Sequence, residues 1–343
     1  MSELIRPWLK RIVGAVTGGR TYNLSESEAQ ELFTLLLDGA GSDAQLGVFL
    51  AVMRSKGTTA EELVGAARAA RSRIKFPQLP DSCVVIATSR MGKRNSPPLG
   101  LPAAAIAAAA GVPVLLQVSP GLRGGGLSPG DLWQEMCGEL SGDVQHVDEM
   151  FGNGPLACWN PTIADSGWQR LQRIEDETLL RGIPDVVTKL LFPEGARAML
   201  AAVPGPVLGI AANALESLQH QQALIVQGVD GSLDPSTLET TRGMRLISGI
   251  KAPLRIHPGD YALFETDEPY LSDGDQIESA VAITRQVLLG VACPELSSTL
   301  MSAGLIISLA NPNESVATCI AQASEAVRSG AAQRLLSSFR NGN

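Results

Sequence analysis

Hydrophobic and polar positions change their period along this chain, and the change separates two kinds of structure. Up to about residue 75 the apolar side chains recur at helical spacing, as in Leu32, Phe33 and Leu36. A capping-box pattern, Ser25 followed three residues later by Glu28, predicts the start of one of these helices. The predicted helices cover residues 4–16, 25–37, 43–53 and 59–73. The sequence therefore predicts a helical module at the beginning of the chain.

From Val84 the pattern changes to short apolar runs that alternate with helix patterns. Runs of this kind, rich in β-branched residues and too short for a helix, are typical of buried strands. The predicted strands cover residues 84–87, 114–118, 207–210 and 223–227. An alanine-rich helix, predicted over residues 103–110, joins the first two strands and ends at Gly111. The alternation indicates an α/β fold.

The remaining segments also predict a mixture of helices and strands. Residues 179–191 again have a helical pattern, and we expect this helix to pack back on the N-terminal helices. Residues 244–275 combine alternating apolar positions with turn signals, which predicts strands and loops. Further helices are predicted at 275–289 and 313–339, with a buried helix over the apolar stretch 300–309 between them.

Composition and charge narrow the class of protein. With 343 residues, 45% of them hydrophobic and 18% charged, the chain has the make-up of an ordinary soluble globular protein of two domains. It contains no stretch of about 20 uninterrupted apolar residues, so we expect no membrane span. Five scattered cysteines without a CxxC motif indicate a reducing compartment, and we expect the cytoplasm. The net charge of -8 excludes a protein that is basic throughout, so nucleic-acid contact would need a local patch.

Such a basic patch lies between Arg54 and Arg94. This segment holds nine Lys or Arg against three Asp or Glu, a local net charge of +6. It ends in the loop after the first predicted strand, and ligands of α/β proteins bind at loops of this kind. The candidate residues for phosphate or polyanion binding are Arg71, Arg73, Lys75, Arg90, Lys93, Arg94 and Asn95. The cations of the loop suggest an anionic ligand, and a solvated turn is the alternative.

Other motifs that carry chemistry are sparse. The three histidines lack metal-ligand spacing, and we expect each of them, His220 included, on the surface or at a helix cap. The sequence has no GxSxG, Walker A or strand-following GxGxxG motif. The run Gly124–Gly126 follows a strand, either as a phosphate-binding loop or as a flexible tip. Asp230 and Asp234 follow another predicted strand, where paired acids could hold Mg²⁺ or form a hydrogen-bonded turn.

The order of the elements points to a known family. A helical module precedes a strand, a loop, an alanine-rich helix and a second strand, and a helical return and a strand ending in VQGVDGSLD follow. In this order the chain resembles the anthranilate phosphoribosyltransferase family and its relatives, the pyrimidine nucleoside phosphorylases. The resemblance implies a small helical domain, residues 1–76 completed by about 168–193, beside a larger α/β domain, residues 80–165 and 194–343, with a central, mostly parallel sheet. It also implies a homodimer through the helical domain. Enzymes of the family transfer ribose phosphate from Mg²⁺-bound phosphoribosyl pyrophosphate (PRPP) to an aromatic amine.

The motifs of that family are largely replaced in this chain. Aligned through the alanine-rich helix, the family's Gly-Thr-Gly-Gly-Asp loop falls on residues 88–92, and its glycines are replaced or displaced. The Asn-Ile-Ser-Thr turn falls on residues 98–101 and the Lys-His-Gly-Asn motif on residues 116–119. The Asp-Glu pair that holds magnesium falls on Asp234 and Pro235. Because a pyrophosphate with its Mg²⁺ needs these donors and carboxylates, the resemblance implies a degenerate PRPP site.

The replacing residues resemble a divergent second branch of the family, which is associated with nucleic-acid binding. The stretch MGKRNSPPLGLP places Lys93 and Arg94 in the first loop. The stretch RGIPDVVTKLLFP supplies Arg181 and Lys189, which join the candidate polyanion-binding residues.

Three functions are open from the sequence. The leading hypothesis is an anthranilate phosphoribosyltransferase-like protein with a degenerate PRPP site, which does not make phosphoribosyl anthranilate and binds DNA, RNA or another polyanion through the basic patch. The alternative is an active, atypical phosphoribosyltransferase or phosphorylase that uses PRPP and Mg²⁺. In that enzyme Arg90, Lys93 and Arg94 would clamp phosphate, and Asp230 or Asp234 would hold the metal. The third is a structural or regulatory protein that dimerises through its N-terminal helices.

Overall fold

The computed structural model describes residues 2–14, 20–122, 124–203, 205, 207–272 and 274–340. The helices are α1 (Ser2–Ile12), α2 (Glu26–Leu37), α3 (Asp43–Lys56), α4 (Ala60–Arg71), α5 (Gly100–Ala109), α6 (Pro129–Met136), α7 (Val144–Asn153), α8 (Ser166–Thr178), α9 (Ile183–Thr188), α10 (Val207–Ser217), α11 (Gln276–Leu288), α12 (Pro294–Ala310), α13 (Val316–Arg328) and α14 (Ala331–Ser338). The strands are β1 (Val84–Ala87), β2 (Val114–Gln117), β3 (Leu156–Trp159), β4 (Arg197–Ala201), β5 (Gln222–Gln227), β6 (Thr241–Ile247) and β7 (Ile250–Ile256). None of the described helices is both long and apolar enough to cross a membrane.

The seven strands form one sheet in the order β3-β2-β1-β4-β5-β6-β7. The first five in this order are parallel, whereas β6 and β7 are added antiparallel at one edge. Val84 of β1 pairs with Val114 of β2 on one side and with Arg197 of β4 on the other. The carboxyl ends of β1, β4 and β5 therefore lie next to one another, where α/β folds bind their ligands.

Alternate residues of β1 face two separate cores, as the period of a strand requires. Val84 and Ile86 belong to a core that α5, α12 and α13 complete. Val85 and Ala87 face the other core, which the sheet shares with the N-terminal helices and α10. Burial on both faces explains why this strand is an uninterrupted apolar run in the sequence.

The N-terminal helices form a bundle that α8 and α9 join. Helix α2 packs against α4, α8 packs against α2 and α3, and α9 packs against α4. The predicted capping box is present at the start of α2, where the Ser25 side chain and Glu28 satisfy each other's backbone N–H groups. A buried carboxylate, that of Glu62, ties the bundle together: it accepts from the Lys56 ammonium at 2.6 Å and from the backbone N–H of Leu24 at 2.9 Å. The described structure thus has a small helical unit beside a larger α/β unit.

Two strand assignments differ from the sequence prediction. The run 207–210, predicted as a strand, is the beginning of helix α10, and the strand that pairs with β1 and β5 is β4. β3, which pairs with β2, lies outside every predicted strand. A short apolar run is compatible with a strand or with the buried face of a helix, so periodicity alone does not separate the two.

Helix boundaries also differ. The helix predicted over 179–191 is only the short α9, because Leu179 adopts a left-handed conformation at the end of α8. The helix predicted over 313–339 is divided at Gly330, whose φ of +71° ends α13 and allows α14 to begin. The first helix ends at Ile12, and the predicted residues 15 and 16 lie outside the described part of the chain.

Candidate functional site

A cavity of about 430 Å³ opens at the carboxyl ends of β1, β4 and β5. Thr88, Ser89 and Lys93 line it from the loop after β1, and residues 230–234 line it from the turn after β5. The helical side contributes two arginines to the lining, Arg54 and Arg181. The cavity therefore lies between the two units, at the place in the sheet where the sequence predicted a ligand site.

The backbone of the loop after β1 is paired with the glycine run and with Leu127, which follows the run. The backbone N–H of Lys93 donates to the carbonyl of Leu127 at 2.8 Å, and the reverse bond measures 2.9 Å. A Cβ at Gly126 would come within 2.2 Å of the Lys93 carbonyl carbon, so only glycine permits this approach. The run Gly124–Gly126 is thus a docking strip for the neighbouring loop, and neither the phosphate-loop nor the flexible-tip interpretation describes it.

The backbone N–H groups of this loop are used inside the protein. That of Arg90 donates to the Asp185 carboxylate at 2.7 Å, and that of Met91 donates to the Ser89 hydroxyl at 3.1 Å. Lys93 donates to Leu127, as described above. These three amides are consequently not available to a pyrophosphate, which binds to free backbone donors.

Arg90 is buried, with only 5% of its surface exposed. Its guanidinium lies 3.3 Å from the Glu175 carboxylate and 3.0 Å from that of Asp176, and it also donates to the Pro120 carbonyl at 3.3 Å. The expectation that Arg90 contacts a phosphate is corrected by these contacts, because its guanidinium bonds two carboxylates of helix α8 and the Pro120 carbonyl. Arg90 is a residue that fixes the loop to the helical unit.

A buried network of charges continues from Arg90 beneath the cavity. Asp185 accepts from the Ser89 hydroxyl at 2.8 Å and from the Arg181 guanidinium at 2.6 Å. Burial opposes ionisation of Asp185, but Arg181 and then Lys189 hold the pKa of this carboxyl below its ordinary value. Burial, reinforced by the neighbouring Asp185, raises the pKa of Glu175 to about 8.

Lys189 is the second candidate cation that the structure places in the interior. Its ammonium donates to the Ala201 carbonyl at 2.7 Å. Burial, with Arg181 adding a like charge, lowers the pKa of Lys189 to about 7. Lys189 and Arg181 line a smaller, mostly apolar cavity of about 230 Å³ beside the first one. Neither side chain is part of an open basic surface.

The two carboxylates proposed for Mg²⁺ are engaged by the segment that follows β1. Lys93 Nζ donates to Asp234 Oδ2 at 2.7 Å, and the backbone N–H of Leu99 donates to the same oxygen at 3.3 Å. The Ser96 hydroxyl donates to Asp230 at 2.7 Å. No group of three or more His, Cys, Asp or Glu side chains in the described ranges is arranged to hold a metal ion. Both carboxylates are thus already bonded within the protein, and Mg²⁺, which takes one or two carboxylates together with waters and phosphate oxygens, would have to compete with Lys93 and Ser96 for them.

The other candidate residues lie on the helical unit and in the loop after β1. Arg73 pairs with Asp38 at 2.6 Å and with Asp165 at 2.7 Å, and Arg71 donates to the Leu190 carbonyl at 3.1 Å and to that of Phe192. Three candidates are exposed and have no carboxylate partner within the described part of the chain: Arg94, which donates to the Gly124 carbonyl, Asn95, whose carbonyl accepts from Leu271, and Lys75. The local charge of +6 therefore does not form one continuous cationic surface.

Sequence reasoning missed the acidic partners of these cations. Glu175 and Asp185 lie 85 and 95 residues from Arg90 along the chain, on a different unit. No local sequence pattern predicts that Glu175 and Asp185 are buried partners of Arg90, because an isolated acidic residue in a helix is ordinarily solvated.

Comparison with known proteins agrees with this architecture. The model of a glycosyl transferase family helical bundle domain matches residues 10–74, and the a/b domain of a glycosyl transferase family matches residues 99–333. The chain is 28% identical to an anthranilate phosphoribosyltransferase of Methanothermobacter marburgensis over 92% of this chain and 94% of that protein. It is 27% identical to one of Syntrophobacter fumaroxidans over 96% of both chains.

Solved structures show the same fold. The anthranilate phosphoribosyltransferase of Thermus thermophilus superposes with a TM-score of 0.79 at 23% identity, covering 96% of this chain and 98% of that one. The enzyme of Saccharomyces cerevisiae in complex with PRPP and Mg superposes with a TM-score of 0.80 at 17% identity, covering 99% and 98%. The chain therefore belongs to the glycosyl transferase family of the anthranilate phosphoribosyltransferases, with the helical bundle and the α/β domain of that family both present.

Proposed function

We propose that this protein binds a phosphorylated small molecule in the 430 Å³ cavity and does not transfer the phosphoribosyl group of PRPP to anthranilate. The observation that carries the proposal is that three cations, Arg54, Lys93 and Arg181, line this one cavity against two carboxylates, those of Asp230 and Asp234. The hydroxyls of Thr88, Ser89 and Ser232 share the lining, which suits a phosphate ester with further polar groups.

The same lining argues against the usual chemistry of the family. PRPP would have to compete with Asp185, Ser89 and Leu127 for partners of the loop after β1, since these already bond its amides. Each charge-assisted hydrogen bond that a pyrophosphate loses forgoes about 1.5–3 kcal/mol. The fold of the relatives is kept, and the PRPP site within it is degenerate.

The test is a thermal-shift series with ribose 5-phosphate, inorganic pyrophosphate and PRPP, each with and without Mg²⁺. A ligand at 100 times its Kd stabilises the native state by about 2.7 kcal/mol, which raises the melting temperature measurably. The variant Arg54→Ala should lose the shift. Arg94→Ala is the matched control, because Arg94 is an exposed arginine outside the cavity lining and should leave the shift unchanged.

Two results would decide against this proposal. Absence of any shift at millimolar phosphate ligand would show that the cavity does not hold phosphates. Mg²⁺-dependent consumption of PRPP with an aromatic amine would support the alternative, an active phosphoribosyltransferase.

Nucleic-acid binding is a second, narrower proposal. It is favoured by the exposed cations Arg54, Lys75 and Arg94, which face no carboxylate among the residues that the structure describes. Because the other cations of the basic patch are paired or buried, these three define the largest phosphate footprint that the patch offers. Titration of single-stranded DNA and RNA across a salt series tests it.

A homodimer through the helical unit is also proposed. Leu4 of α1 and Val48 of α3 are exposed by 55% and 47%, and these two helices pack against each other. Exposed apolar side chains on neighbouring helices suit contact with a second copy of the chain. Sedimentation of wild type and of Val48→Glu would test it, with a monomeric variant supporting this surface and an unchanged dimer contradicting it.

A further inference from the structure

A lysine side chain, that of Lys93, occupies the position next to the Asp234 carboxylate in the cavity. Lys93 Nζ lies 2.7 Å from Asp234 Oδ2, and the two side chains are only 4% and 2% exposed. We propose that the ammonium of Lys93 takes the place of a divalent metal ion at Asp234, so that phosphate binding in this cavity is independent of Mg²⁺. The second half of this inference rests on the proposed function, whereas the first half concerns Asp234 alone.

The lysine is held in this position at both ends. Its backbone is bonded to Leu127 in both directions, at 2.8 and 2.9 Å, so its Cα is fixed beside the cavity. Its ammonium is paired with a buried carboxylate that also accepts from the N–H of Leu99. Withdrawal of the lysine would leave Asp234 charged and buried without a counter-ion, which is strongly unfavourable. The ion pair is therefore a permanent part of the cavity floor.

The second carboxylate of the cavity lining, that of Asp230, is engaged by another side chain. The residue after Asp234 is Pro235, which has no side-chain oxygen, and the Asp230 carboxylate is bonded to the Ser96 hydroxyl at 2.7 Å. Mg²⁺ in proteins is held by one or two carboxylates together with waters and substrate phosphate oxygens. With Lys93 Nζ on Asp234 Oδ2, such an ion would bind the carboxylate next to an existing positive charge, which repels it.

Lys93 also has the capacity to contact a ligand. An ammonium carries three N–H donors, and Asp234 is the partner of Nζ found among the described residues. Lys93 lines the cavity together with Thr88 and Ser232. Its remaining donors can therefore bond a phosphate oxygen, a task that a bound metal ion performs in metal-dependent sites.

The first experiment measures Mn²⁺ binding by electron paramagnetic resonance, with Mn²⁺ alone as the probe for a divalent ion. Wild type should bind no Mn²⁺ at millimolar concentration. Lys93→Met frees the Asp234 carboxylate and should bind Mn²⁺ at this concentration, and Lys93→Met with Asp234→Asn should lose the binding again. Stoichiometric binding by wild type that Asp234→Asn abolishes would overturn the proposal, and so would a folded Lys93→Met protein that gains no Mn²⁺. The wild-type arm decides the question even if Lys93→Met fails to fold.

The second experiment compares the melting-temperature shift that inorganic pyrophosphate produces in EDTA and in Mg²⁺. Equal shifts support the inference, and a shift that requires Mg²⁺ overturns its second half. If pyrophosphate, ribose 5-phosphate and PRPP all give no shift in either buffer, the proposed function fails, while the Mn²⁺ measurement still decides whether Lys93 replaces the metal. The two failures are therefore distinguishable.

Discussion

Arg90 and Glu175 meet in the interior, where 3.3 Å separates the guanidinium from the carboxylate and joins the loop after β1 to helix α8. Both side chains are almost completely buried, and Glu175 also accepts from the backbone N–H of Gly182 at 2.8 Å. Because burial raises the pKa of Glu175 to about 8, this carboxyl is mostly protonated at neutral pH, and loss of Arg90 would leave a buried carboxyl oxygen without its donor rather than an unpaired charge.

Arg90→Ala should therefore lower the free energy of unfolding by about 1–3 kcal/mol. The control is Arg94→Ala in the same loop, which removes an exposed side chain and should change stability by no more than about 0.5 kcal/mol. Urea unfolding of both variants measures the difference. Equal, small effects would mean that Arg90 is not part of the buried network and would reopen its role as a phosphate ligand.

Gly126→Ala should destabilise the protein through the contact between two loops. The added Cβ would lie 2.2 Å from the Lys93 backbone, so the loop after β1 must shift. Overpacking of this kind costs about 1–3 kcal/mol. Gly209→Ala is the control: the glycine is exposed within α10 and has nothing within 4 Å of an added Cβ, so alanine should stabilise by about 0.5–1 kcal/mol. Thermal melts of the two variants should move in opposite directions, and a neutral Gly126→Ala would contradict the docking-strip interpretation.

His220 gives the protein a specific sensitivity to acid. Its ring is buried against Phe192, with 4.4 Å between the ring centroids, and neither ring nitrogen has a well-formed hydrogen bond within the described ranges. Burial, together with the nearby Arg71 cation, lowers the pKa of His220 from 6.5 to about 3. Because the unfolded state binds the proton more tightly between these two values, the stabilising contribution is full above pH 6.5 and is lost as the pH falls toward 3.

His220→Leu should remove that part of the acid sensitivity. Between pH 7.5 and 5 wild type should lose about 2 kcal/mol more than the variant, since each pH unit below 6.5 costs about 1.4 kcal/mol. Unfolding free energies of both proteins at the two pH values give this difference, in which the contributions of other titrating groups cancel. A variant that loses stability as steeply as wild type would show that another group carries the effect.

The prediction that His220 lies on the surface or at a helix cap was wrong, because its side chain is buried. The Ser25–Glu28 capping box and the strand Val84–Ala87 were predictable because their signals lie within a few residues of each other. The burial of His220 depends on Phe192, 28 positions away in the chain, and no local pattern encodes that contact.

At the candidate site, too, local sequence patterns predicted the positions of residues but not the contacts between distant ones. The sequence placed Lys93 in a loop at a strand end and Asp234 in the turn after another strand, and both lie at the cavity. Their pairing spans 141 positions and was not predicted. Cations in the loop therefore indicated an anionic ligand, whereas the fold uses Arg90 and Lys93 first to neutralise its own buried acids.

The number of exposed, unpaired cations in the basic patch predicts the salt dependence of nucleic-acid binding. The basic patch offers Arg54, Lys75 and Arg94 to a phosphate backbone, because its other cations are paired or buried. For a single strand the slope of log K against log salt is about −0.7 per phosphate neutralised, which predicts a slope no steeper than about −2. Fluorescence anisotropy with labelled single-stranded DNA between low and moderate salt measures this slope.

Lys75→Ala should make the slope shallower by about 0.7. Arg73→Ala is the control, because it removes an arginine already paired with Asp38 and Asp165, and it should leave the slope unchanged. A slope of −4 or steeper would show that ion pairs of the patch open to engage phosphates, and it would return nucleic-acid binding to the first place among the proposed functions.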